Sequence, residues 1–152
     1  MEQSSLRLVE TSLPGDLNPY EWQPFEQDDA FESRWWSDPR IVLSADTLFI
    51  GFWAGSVEVA RVELDADVAL GMYRPTGIER DVLEIQLIEV AETHRRMGFG
   101  RRAVEALVAR FPARQLVAFS EEADEFWAGL GWHRFARISE PEFHRPLFVQ
   151  PV

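Results

Sequence analysis

Arg95-Arg96-Met97-Gly98-Phe99-Gly100-Arg101 stands between the apolar run Leu83–Val90 and a helix-like run that ends at Phe111-Pro112. A strand, a glycine-rich turn and a helix start, in that order, suit the binding of a pyrophosphate. Glycines let the backbone approach a ligand closely, and the first N–H groups of a helix have no intrahelical partner. The helix start also carries about half a positive charge. Three arginines lie within these seven positions and Arg102 follows, which adds charge-assisted donors. The spacing is neither G-x-x-x-x-G-K-[ST] nor G-x-G-x-x-G, so the P-loop and the dinucleotide fingerprint are both excluded. What remains is R-x-x-G-x-G, carried by Arg95, Gly98 and Gly100. The competing reading is a tight turn with no ligand.

Outward from this stretch the hydrophobic pattern predicts the order βα(short)βββαβαββ. Leu6–Glu10 reads as a first strand and 14–24 as a loop rich in Pro, Gly and Asn. Asp28-Asp29 would cap a short helix through Trp36, stopped at Asp38-Pro39. Leu48–Trp53 and Val57–Leu64 form a hairpin around Ala54-Gly55-Ser56. In Leu83–Val90, Ile85 and Leu87 share one face while Ile88 and Val90 share the other. Either a β-bulge or a strand buried on both faces accounts for this slip. Val104, Leu107, Val108 and Phe111 repeat at helical spacing. Gln115–Phe119 is a short strand. Ser120 looks like an N-cap, with Glu121 and Glu122 in the first turn and Gly131 closing the helix. Trp132–Ala136 and Pro146–Val149 are closing strands. Such alternation predicts an α/β (α+β mixed) fold.

The 152 residues fit one domain, 46% hydrophobic and 27% charged, as in a globular protein. There is no cysteine, so disulfides, thiolate metal sites and a cysteine nucleophile are excluded. No metal is expected. All 15 basic residues are arginine. The start Met1-Glu2-Gln3-Ser4-Ser5 is unlike a signal peptide and no apolar run reaches spanning length, so a cytoplasmic location is expected. The net charge of −11 is uneven. Residues 1–40 hold 9 acids and 3 arginines (−6), 41–93 hold 10 and 3 (−7), and 94–152 hold 7 and 9 (+2). The C-terminal part suits an anionic cofactor and the N-terminal part a cationic acceptor. The overall charge argues against a nucleic-acid partner.

Two segments together resemble the GNAT acetyltransferase superfamily. One runs from Ile88-Glu89-Val90 through Gly98-Phe99-Gly100-Arg101. The other, Ala123–Trp132, is similar to that family's A-x-x-F-Y-x-x-x-G-F signature. The resemblance covers about residues 47–136, the cofactor-binding core. Residues 1–46 would form the acceptor side and 137–152 a closing strand of a single domain, 1–152. It implies a central mixed, mostly antiparallel sheet of six to seven strands, with helices on both faces and a β-bulge before the R-x-x-G-x-G loop.

The resemblance implies acyl transfer, usually acetyl, from acyl-CoA to an amine. Backbone groups of Arg96, Met97, Gly98, Phe99, Gly100 and Arg101 would hold the pyrophosphate, with Arg95 beside them. The pantetheine arm would lie along Ile88 and Val90, near Ser120, Phe126 and Trp127. An alkylammonium is only roughly 0.04% neutral at pH 7, so a base has about 4–5 kcal/mol of deprotonation to offset. Glu89, ranked first, and Glu84 are the candidates. The family's usual tyrosine acid is replaced by Trp127, whose indole is not a proton source near neutrality. Tyr73 is then the candidate acid, or none is needed. Trp22, Trp35 and Trp36 with Asp28 and Asp29 would make an aromatic, acidic pocket for a cationic acceptor; a core role for the tryptophans competes.

Three readings follow. The first is an N-acetyltransferase acting on a small cationic amine or a peptide N-terminus, as monomer or homodimer. The second is a non-catalytic acyl-CoA-binding module or sensor of the same fold. The third is an unrelated α+β binding protein.

Overall fold

The computed structural model describes residues 5–12, 15, 22–36 and 47–152. Most of the loop expected at 14–24, and the helix stop at Asp38-Pro39, lie outside the described residues. The elements are β1 (Arg7–Thr11), α1 (Ser33–Trp36), β2 (Thr47–Ala54), β3 (Val57–Asp65), β4 (Asp81–Val90), α2 (Phe99–Arg110), β5 (Arg114–Phe119), α3 (Asp124–Gly129), β6 (His133–Phe135) and β7 (Leu147–Val149). Their order is the one the hydrophobic pattern predicts. They form one mixed, mostly antiparallel seven-stranded sheet, β1-β2-β3-β4-β5-β7-β6. The chain divides into two compact units: residues 1–64 with 87–106, and 65–86 with 107–152.

In the first unit β1 pairs antiparallel with β2, from Arg7↔Trp53 to Thr11↔Phe49. The β2–β3 connection is the two residues Gly55-Ser56, with Gly55 at φ +63°, as tight hairpin turns require. Phe31, Trp36, Phe49 and Ala91 form a buried cluster, with Trp22, Phe25, Ala30 and Leu87 packed on it. The helix expected from Asp28 is shorter than predicted. Asp28 Oδ1 accepts from the Ala30 N–H at 2.9 Å and its carbonyl accepts from the Phe31 N–H at 3.1 Å. That local turn competes with the helix, which starts only at Ser33.

In the second unit Val117, Leu147 and Val149 form the buried cluster. The last strand closes inside the chain: β7 lies antiparallel to both β5 and β6. β4 pairs with β5 in parallel over Asp81↔Arg114 to Glu84↔Val117, where that register ends. β4 itself runs on to Val90, while Ala118 and Phe119 pair with β7. Leu83, Glu84, Ile85 and Glu89 are buried on β4, Gln86 is exposed, and Leu87, Ile88 and Val90 are half-buried. Ser120 is not the cap of α3, which begins at Asp124 after Ala123. Its hydroxyl accepts from the Ala123 N–H and donates to Asp124 Oδ1 (3.1 and 2.6 Å), holding the turn before the helix. Gly131, at φ +82°, ends the helix as predicted, its N–H donating to the Ala128 carbonyl.

Candidate functional site

Between β4 and α2 the chain makes a short 3-10 turn, Glu92–His94, and then the arginine-glycine loop. Arg96 stands at φ +64° and Gly98 at φ +81°. Left-handed backbone at a non-glycine residue costs about 1–2 kcal/mol, so Arg96 holds a conformation the loop imposes on it. A Cβ at Gly98 would meet open space, so glycine is required there by φ and not by crowding. The Arg102 N–H donates to the Gly98 carbonyl at 3.1 Å, the first α-helical bond of α2. The N–H groups of Phe99 and Gly100 precede that bond, in the turn where a helix offers its donors no acceptor of its own. Met97 is 61% exposed at the loop tip. Arg101 forms a 3.9 Å pair with Glu105 one turn on, and the Arg102 guanidinium lies over the Phe99 ring. Ala103 and Val104 are buried and anchor the first turns of α2. An anion with several oxygens matches this array of donors and arginines.

Glu89 holds the loop from beneath. Its side chain is 4% exposed and three donors reach it. The Glu32 N–H contacts both oxygens at 3.1 Å, the Trp36 indole N–H donates at 2.8 Å, and Arg95 Nη2 donates at 3.2 Å. Arg95 Nε also donates to the Val90 carbonyl. One buried carboxylate therefore ties the end of β4 to α1 and to the first arginine of the loop. The sequence singled out Glu89 as a base; its partners Glu32 and Trp36 carried no local signal for this arrangement. Trp36, expected at an acceptor pocket, is 1% exposed in the core, and Trp22 packs edge-on to Phe49. Trp35 is 38% exposed, and Asp28 and Asp29 are exposed. Of these five, Asp28 lines a cavity of this unit, with Phe25, Trp53, Glu58 and Arg61.

The remaining candidates belong to the second unit or to the rest of β4. Glu84 is buried, at the last rung of the β4–β5 register. With the Gln86 amide turned so that its nitrogen faces Glu84, it donates to both carboxylate oxygens. Ile88 and Val90 are half-buried on β4. Tyr73 packs against Phe119 and its hydroxyl donates to the Arg145 carbonyl at 2.7 Å. Trp127 is 4% exposed and lies 4.8 Å, centroid to centroid, from Trp132, with Phe126 at 4.9 Å. Among the described residues no group of three His, Cys, Asp or Glu side chains is placed to hold a metal ion. No helix among them is long and apolar enough to cross a membrane.

The profile of the Acetyltransferase (GNAT) family matches residues 9–132. The chain belongs to the GNAT acetyltransferase family. The match spans β1 to the residue before β6 and includes the whole arginine-glycine loop. Solved GNAT structures share the fold at low identity. An acetyltransferase from Thermus thermophilus aligns at 16% identity with a TM-score of 0.53, over 72% of this chain and 67% of that one. The Bacillus subtilis N-acetyltransferase YlbP, solved in complex with coenzyme A, aligns at 23% identity with a TM-score of 0.52, over 68% and 67%. The KacTA–DNA complex aligns at 14% identity with a TM-score of 0.58, over 97% and 93%. No curated protein matches the sequence significantly.

Proposed function

We propose that this GNAT protein transfers an acetyl group from acetyl-CoA to a primary amine of a small cationic acceptor. The observation that carries the reading is the loop 95–101, with left-handed backbone at Arg96 and Gly98 and a helix start aimed out of it. Backbone N–H groups from Met97 to Arg101 would hold the pyrophosphate, with Arg96 and Arg101 neutralising its charge. Ile88 and Val90 offer a strand edge beyond the point where the β4–β5 register ends. Acetyl-CoA supplies an activated thioester when bound.

The chain's own part is to bind, orient and move one proton. Glu84 is the base we favour, because it is buried at the rung where the parallel pairing stops. Glu89 already accepts from three donors, so its part is to position Arg95 and α1. A thiol of pKa near 8.5 is a fair leaving group, so a donated proton is dispensable and Tyr73 can keep its bond to Arg145. The net charge of −11 favours a cationic small molecule over nucleic acid as acceptor. Asp28 is the acceptor-side residue we retain for this role, alongside the exposed Asp29 and Trp35.

Replacing Glu84 by Gln tests the assignment. The expected result is a fall in kcat of about 10²–10⁴ with acetyl-CoA affinity kept. Unchanged kcat sinks Glu84 as base. The second reading, an acyl-CoA-binding module without turnover, draws on the burial of Trp127 where the family's acid usually stands. A screen of amines for CoA release separates the two.

A further inference from the structure

Glu84 is the last residue of β4 in the parallel register with β5, opposite Val117. Two positions on, Gln86 shares its face, because side chains alternate along a strand. The two differ in cover. Glu84 is 8% exposed, whereas Gln86 lies open to solvent. The cover on this face of β4 stops between them, and Gln86 is the neighbour of the buried carboxylate that reaches water.

Chemistry sets the sense of the contact between them. An ionised carboxylate only accepts hydrogen bonds, so the amide presents its NH₂ to it and not its carbonyl. In that orientation Gln86 Nε2 donates to Glu84 Oε2 at 2.5 Å and to Oε1 at 3.2 Å. Burial makes the ionised form of a carboxylate costly, and a hydrogen bond donated to that form offsets the cost. A base that takes a proton from an alkylammonium must be ionised when the amine arrives. Gln86 supplies such a bond without a charge of its own. An arginine or lysine in its place would set a cation on the path of a cationic acceptor. A neutral donor holds the base and leaves that path open.

We propose that Gln86 is the positioning residue of the base, its amide keeping the Glu84 carboxylate ionised and in one orientation for the ammonium of the acceptor. The proposal rests on the reading of Glu84 as base and adds the group through which Glu84 is held. Gln86 itself takes no proton. Substitution of an exposed side chain is ordinarily silent, so an effect on turnover at this position has to pass through its contact.

The test compares wild type, Gln86→Met and Gln86→Glu, with CoA release from acetyl-CoA measured against n-butylamine as the probe amine. Methionine removes the donor. Glutamate keeps the shape of the side chain and sets a second carboxylate against the first. A fall in kcat of about tenfold is expected for Gln86→Met and a larger one for Gln86→Glu, with the KM for acetyl-CoA unchanged in both. A role in shape alone predicts the reverse order. The side-chain NH₂ resonances of Gln86, assigned with Gln86→Met, should also move when Glu84 is replaced by Gln. Unchanged kcat in Gln86→Met, a smaller fall in Gln86→Glu than in Gln86→Met, or NH₂ resonances unmoved by Glu84→Gln would overturn the proposal. The two readings fail separately: a fall in kcat for Glu84→Gln with none for Gln86→Met overturns the positioning role alone. Unchanged kcat for Glu84→Gln, or no CoA release by the wild type, overturns the base reading and this proposal with it.

Discussion

Each unit of the molecule holds a buried polar side chain that ties distant segments together, Glu89 in the first and Gln115 in the second, and the two differ in charge. In the second unit Gln115 is fully buried and makes its bonds to backbone. Its oxygen accepts from the Glu79 and Arg80 N–H groups, and its nitrogen donates to the carbonyls of Gly77 and Gln150. Gln150 in turn accepts from the Leu116 N–H. In the first unit Glu89 accepts from one backbone N–H, one indole and one guanidinium. Gln115 is neutral and satisfied within its own unit, so it is a staple. Glu89 is buried, and one of its partners, Arg95, is 53% exposed on the arginine-glycine loop. A buried charge connected to an exposed cation responds to what binds that cation; a buried amide does not.

The largest expected effect comes from breaking the charged hub. Glu89→Gln turns an acceptor-only group into one whose NH₂ faces N–H donors. Loss of charge-assisted bonds in a buried site predicts about 2–4 kcal/mol of destabilisation, read from urea unfolding, and weaker acetyl-CoA binding through a displaced Arg95. Gln115→Leu removes the bonds to the backbone of Glu79, Gly77 and Gln150, the last of them buried. About 2–3 kcal/mol of stability should go, with acetyl-CoA affinity per folded molecule unchanged. If Gln115→Leu impaired acetyl-CoA binding as much as Glu89→Gln, the contrast between the hubs would collapse.

Smaller changes sharpen it. Gly98→Ala forces a side chain into left-handed backbone, a cost of about 1 kcal/mol in stability, and should weaken acetyl-CoA because the loop must relax. Smallest of all is the Arg95–Glu89 coupling itself. With Arg95 half-exposed, a double-mutant cycle of Arg95→Ala and Glu89→Gln should give below about 1 kcal/mol without ligand. That coupling should change when acetyl-CoA is present, since the pyrophosphate offers Arg95 a second anion. A coupling indifferent to acetyl-CoA would remove Arg95 from the cofactor site.

The order of elements was legible because each strand and helix carries its own period, and because Gly55, Gly98 and Gly131 mark turns that need positive φ. The loop 95–101 was legible for the same local reason. What was hidden depends on long-range pairing. Nothing beside Gln115 in the chain points to Gly77 or Gln150, and nothing beside Glu89 points to Trp36, 53 positions away. Tryptophan and acid content do not tell which rings a chain sends to its core. Trp36 went to the core, while Phe25, Trp53, Glu58 and Arg61, which do line a cavity, lie in a hairpin and a loop with no motif.

The central claim is that the arginine-glycine loop is the acetyl-CoA site. Calorimetric titration of the full chain with acetyl-CoA, for wild type and for the Arg96→Glu, Arg101→Glu double variant, tests it most directly. Single-site micromolar binding, weakened at least tenfold in the folded double variant, is the predicted result. No binding by the wild type, or equal binding by both proteins, would contradict it.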